Sequence, residues 1–106
     1  MANDLTLSEK RRLELHALFE TITPNVYFEP PESIKLKYPC ITYERTSGKT
    51  DFANNKPYVF RYRYTVTVIT RDPDSDLPEK LAANQYCTLD RGYPGDGLYH
   101  YVFTVY

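Results

Sequence analysis

The residues with the clearest chemical potential are Asp72, Asp74 and Asp76, His16 and His100, Cys40 and Cys87, and the interleaved run Arg61-Tyr62-Arg63-Tyr64. The alternate acids have the spacing that opens a calcium-binding EF-hand loop, in which oxygens at every second position converge on a hard cation. Leu77 stands at the sixth position of that loop where Gly is needed, and Ala83 at the twelfth where a bidentate Glu is needed. Helix capping by Asp74, Ser75 and Asp76 accounts for the same residues. The two histidines lack zinc or iron spacing, and no nucleophile elbow or oxyanion-type motif accompanies either cysteine. The four glycines form no phosphate-binding loop. These residues predict no enzyme, no metal and no cofactor.

Interleaved arginines and tyrosines can hold phosphates and stack bases. Here they alternate along a strand, so Arg61 and Arg63 project from the face opposite Tyr62 and Tyr64. Arg45 and Lys49 are expected to join the basic side. A solvated polar face or subunit ion pairs explain such a face as well as nucleic acid does. The chain carries 13 Lys and Arg against 14 Asp and Glu, a balance that argues against a protein devoted to binding phosphates.

These residues must be positioned by a chain of 106 residues, enough for one domain with a thin core. The organising stretch is 57–70, where Phe60, Tyr62, Tyr64, Val66 and Val68 share one side of a period-two pattern. It is predicted to be the central strand. Thr6-Leu7-Ser8-Glu9 matches a capping box and predicts a helix whose apolar stripe is Leu15, Leu18, Phe19 and Ile22. Lys10, Arg11, Arg12 and Glu14 are expected to stay mostly wet, and Pro24 to end the helix.

Residues 25–37, with Pro30 and Pro31, read as an extended connector. Residues 38–45 read as a strand with Ile41 and Tyr43 inward, and 46–56 as a long polar loop. A short helix is expected over 77–86. Residues 86–93 and 98–106 form two strands joined at Pro94-Gly95-Asp96-Gly97, with Tyr99, Tyr101, Phe103 and Val105 on one face. The predicted fold is a small α+β domain, a mostly antiparallel sheet of about four strands with two helices on one face. Cys40 and Cys87 are expected to be reduced and buried. With no apolar leader or membrane-spanning run read in the sequence, the chain is expected to be made and used in the cytoplasm.

Eleven tyrosines and no tryptophan suit surfaces buried at one end, as at subunit interfaces. The segments Tyr27-Phe28-Glu29-Pro30-Pro31, Leu36-Lys37-Tyr38-Pro39-Cys40-Ile41, Asn55-Lys56-Pro57-Tyr58 and Tyr64-Thr65-Val66-Thr67-Val68-Ile69 resemble the tail-terminator or tail-completion proteins of long-tailed bacteriophages, and the resemblance covers nearly the whole chain. It implies a virion protein, assembled in the host cytoplasm, that forms a homo-oligomeric and typically hexameric ring on the head-proximal end of the tail tube. Its implied partners are the tail tube protein and a head-completion or connector protein, with DNA passing through the lumen and no membrane.

On that reading the expected subunit or tube contacts are Lys49, Phe52, Asn54 and Asn55 in the 46–56 segment, with Arg61 and Arg63. The first helix and the C-terminal hairpin are further candidates for an interface. Another neck protein, such as a head-closure or head-tail joining adaptor, fits the same features. From a different class, so does a single-stranded nucleic-acid-binding module.

Overall fold

The computed structural model describes residues 6–53, 56–84 and 87–105; within these, the side chains of 47–61 are not described. Helix α1 spans Leu7–Glu20. Its capping box forms as the sequence predicts, the Thr6 hydroxyl accepting from the Glu9 amide at 3.2 Å while a Glu9 carboxylate oxygen accepts from the Thr6 amide at 3.4 Å. Leu15 and Phe19 are buried, with Leu18 and Ile22 packed beside them. Arg12 departs from the expectation. It is half-buried, and its guanidinium lies 5.1 Å from the centre of the Phe28 ring, a cation–π contact.

The strands are β1 (Val26–Phe28), β2 (Cys40–Ala53), β3 (Lys56–Thr70), β4 (Cys87–Gly95) and β5 (Leu98–Val105), and helix α2 is Leu77–Ala82. They form one sheet in the order β1-β2-β3-β5-β4, which puts β3 at its centre as predicted. All pairings are antiparallel except β1 with β2. The fold is α+β, with five strands rather than about four. The additional one is β1, inside the segment predicted to be a connector.

β1 is brief because Glu29, at φ 44°, turns the chain away. The same residue then substitutes for a strand. Its amide donates to the Tyr43 carbonyl at 2.8 Å, and its carboxylate accepts from the Arg45 amide at 3.3 Å. The edge of β2 is therefore satisfied two residues beyond the end of β1.

Both helices pack on one face of the sheet. Leu15 and Phe19 of α1 and Leu77 and Leu81 of α2 share a core with Ile41, Tyr43, Tyr64, Val66, Val68, Phe103 and Val105. The inward sets of β2, β3 and β5 match the period-two reading wherever their side chains are described. α2 is shorter than predicted; its N-cap, Asp76, makes no side-chain capping bond, while the Ser75 hydroxyl accepts from the Leu77 amide at 3.3 Å. Asp76 instead pairs with Lys80 at 3.4 Å. The β4–β5 connection is a two-residue turn at Asp96-Gly97, both with positive φ (54° and 74°) as a type I′ hairpin turn requires. Cys40 is fully buried, Cys87 is only half-buried, and both are free.

Phe19 is fully buried and sits edge-on to Tyr43, ring centres 5.1 Å apart. Truncation leaves a cavity where α1 meets the sheet. Phe19→Ala is expected to lower unfolding stability by about 3–5 kcal/mol, read as a shift of the urea midpoint with an unchanged slope.

Candidate functional site

The 46–56 segment is not the loop that its length and polarity suggest. β2 and β3 stay paired through it, from Ser47↔Arg63 to Ala53↔Lys56, and form a long hairpin. β5 flanks β3 only from Tyr64 to Thr70, and β1 flanks β2 only from Ile41 to Tyr43. Past Arg45 and Tyr64, among the described residues, the two strands have only each other. They run on as a ribbon whose outer backbone edges meet no third strand. A chain of this size packed compactly has a radius of gyration of about 13 Å; the observed value is 15.3 Å, with extents of 49 × 35 × 24 Å.

The start of the ribbon is set by a β-bulge. Arg45 pairs with Tyr64 and Ser47 with Arg63, so Thr46 is the additional residue in β2. One inserted residue reverses which face each later side chain takes. Arg45 and Lys49 would share a face on an unbroken strand; the bulge separates them. Lys49 falls directly across from Arg61, on the face of β3 that also carries Arg63.

Arg45, expected on the basic side, takes the helix-covered side instead. Its Nη2 donates to the Tyr64 hydroxyl at 3.2 Å and to the Ser8 carbonyl at 3.3 Å. Its guanidinium lies 4.8 Å from the centre of the Tyr62 ring. Arg45 thus joins the root of the ribbon to the start of α1 and adds nothing to a cationic surface.

Of the residues expected at an interface, Lys49 and Arg61 are brought together across the ribbon, and Arg63 follows two positions along the same face. Phe52 lies near the far end of the ribbon, across from Pro57. Asn54 and Asn55 lie outside the described residues. Like charges directly opposite each other destabilise a strand pair. Asp51, two positions from Lys49, falls on the same face of β2 as an acidic neighbour to that pair.

Below the ribbon, the helix-free side of the sheet carries Thr42, Thr65, Thr67 and Thr104, all half-exposed, and Glu44, which is exposed. With Glu29 and Pro30, the first three threonines line a shallow cleft of about 210 Å³. Threonine keeps the β-branched stiffness of a strand while presenting hydroxyls to whatever lies against it.

Of the other candidate groups, His100 stacks on Tyr93 with ring centres 4.7 Å apart, its Nδ1 buried without a hydrogen-bond partner among the described residues. His16 Nδ1 lies 2.7 Å from the Tyr43 hydroxyl, and its Nε2 lies 3.9 Å from Glu20. Burial pushes the Cys40 thiol up to about 11 and raises Cys87 as well, the nearby Arg11 charge opposing the latter shift. Both remain protonated at neutral pH, the reverse of an activated nucleophile. The Asp72 carboxylate accepts from the Asp74 amide at 2.9 Å, which makes the acidic run a turn. Among the described residues, no three His, Cys, Asp or Glu side chains gather as a metal site, and no helix is long and apolar enough to cross a membrane.

Comparison with protein-family models, with curated proteins and with solved structures finds no match to this chain.

Tyr43 gives a pH signature. Burial pushes its hydroxyl from the ordinary 10 up to about 12, against the Arg12 guanidinium, which acts in the opposite direction. The neutral phenol is the form the fold holds, so its contribution is complete below pH 10 and is lost as pH rises through 12. The loss amounts to up to about 3 kcal/mol. In denaturant titrations between pH 10 and 12, Tyr43→Phe should lose less stability than the parent by about that amount.

Proposed function

We propose that this chain is a structural subunit of a phage tail, assembling as a hexameric ring on the head-proximal end of the tail tube. There it ends tube growth and offers a surface to the head-completion or connector protein, with DNA passing through the lumen. Its work is shape-complementary assembly without catalysis.

The observation that carries this reading is the β2–β3 ribbon. Exposed edges of this length are usually blunted or covered in a protein that acts alone. Here they extend away from the sheet beside a pair of directly opposed cationic positions, Lys49 and Arg61. A projecting element on one side of a subunit and a receiving surface on another are what a heterologous contact needs. Repeated by rotation, such contacts close a ring. The sequence resemblance supplies the setting at the end of a tail tube.

The same cationic positions favour a second reading, a single-stranded nucleic-acid-binding module. Such a module would bind oligonucleotides with an affinity that falls steeply with salt, and Arg61→Ala with Arg63→Ala would abolish that binding. An assembly subunit is indifferent to oligonucleotides at physiological salt.

The deciding experiment is electron microscopy of lysates from a phage lacking this gene. Filled heads beside unjoined tails of uncontrolled length are expected. Tails of normal length that fail to join would reassign the protein as a head-tail adaptor, and intact infectious particles would overturn the virion role.

A further inference from the structure

A cleft of about 390 Å³ opens between α2 and the β4 edge of the sheet. Its apolar lining comes from Pro78 of α2, Leu89 of β4, and Tyr101 and Phe103 of β5. Leu89 and Phe103 are register partners, so both point to the helix-covered face; Phe103 is fully buried there, while Leu89 is left 51% exposed. The Tyr101 ring occupies the space that a side chain at position 92 would need, a Cβ on Gly92 meeting it at 3.2 Å. The apolar floor therefore runs out to the edge of β4.

β4 ends the sheet, and among the described residues no strand pairs with its outer side. It is exposed from Thr88 to Pro94. The two-residue turn at Asp96-Gly97 makes Gly95 and Leu98 a hydrogen-bonded pair, and the alternation of an antiparallel ladder then turns the N–H and C=O of Gly92 outward, with Pro94 at the neighbouring outward position. Pro94 has no N–H and blunts the turn end of the edge, which leaves 88–92, beside the cleft, open to pairing. The bulged residue, Asp90, stays clear of the cleft because its carboxylate accepts from the Thr104 hydroxyl on the helix-free face.

The rim is acidic. Asp76 is paired with Lys80 at 3.4 Å, but Asp74 and Glu79, both exposed and both walls of the cleft, have no cationic partner among the described residues. An open sheet edge gives an extended ligand main-chain hydrogen bonds, and a pocket beside it selects the alternate side chains that point inward. When one apolar side chain enters the cleft, the residues two before and two after it face the same side, where the unpaired carboxylates favour positive charge.

We propose that the groove between α2 and β4 docks an extended segment of another protein, an apolar residue with Lys or Arg two positions before and two positions after it, which adds to the sheet alongside β4. This docking site is independent of the ribbon and of the ring.

The probe is the capped peptide Thr-Lys-Thr-Leu-Thr-Lys-Thr, titrated into the isotope-labelled full chain and followed by NMR. Submillimolar binding is expected, with the largest amide shifts over 88–92 and α2. Leu89→Asp, at a position outside the buried core, should weaken binding roughly tenfold or more. Asp74→Lys with Glu79→Lys should weaken it similarly and transfer the preference to the peptide carrying Glu in place of Lys, a reversal that damage to the fold would not produce. Of the two forms of the peptide N-methylated at alternate residues, only the one whose methyl groups face solvent should bind.

The absence of shifts at millimolar peptide overturns the proposal, as do shifts that Leu89→Asp leaves unchanged. Equal binding of the two N-methylated forms overturns strand addition. If the peptide does not bind while the parent self-associates and Leu89→Asp makes it monomeric, the occupant is a second copy and docking of a foreign segment is overturned.

Discussion

The packing of this small domain depends on burying one phenol, Tyr43, without stranding its hydroxyl. Its ring meets Phe19 of α1 at 5.1 Å, Phe28 of β1 at 5.0 Å and Tyr64 of β3 at 6.2 Å. Pairs of this kind contribute about 0.5–1.5 kcal/mol each beyond the area they bury. The hydroxyl is satisfied by His16, on the same helix as Phe19. One side chain thus fixes the helix against the sheet and orients it about its axis, because His16 and Phe19 must both reach the same ring.

A second constraint acts three residues further along β2. Thr46, bulged out of register, divides the strand into a part that builds the core and a part that leaves it. Arg45 lies on the near side of that division and is tied to Tyr64 and to the first turn of α1. The ribbon therefore springs from a braced root. Because β3 is both the central strand of the core and one side of the ribbon, the projecting element is continuous with the best-packed part of the molecule.

The legible parts of the sequence were those where one signal dominated. The capping box at Thr6 and Glu9 fixed the start of α1, the alternation from Tyr64 to Val68 fixed the central strand, and Asp96-Gly97 fixed the last hairpin. Residues 46–56 read as a loop because Ser47-Gly48-Lys49 and Ala53-Asn54-Asn55-Lys56 carry no period-two apolar alternation, although 47–53 pair with 56–63 as a strand. β1 was hidden for a related reason, since three residues beside two prolines carry no period. The bulge at Thr46 leaves no compositional mark; alternation from Ile41 and Tyr43 itself puts Arg45 on the helix-covered face, and grouping Arg45 with Lys49 holds only for a strand without that bulge. The cleft under α2 was equally invisible, being made by residues from three separate stretches of chain.

The continuity of β3 from core to ribbon has a thermodynamic consequence. Whatever grips the ribbon binds only the folded chain, because the ribbon's register is set by the same strand that carries Tyr64, Val66 and Val68. By mass action, occupancy at the far end then raises the free energy of unfolding at the centre. In the ring proposed above, each neighbour seated on a ribbon would add to the resistance of the subunit to heat and denaturant.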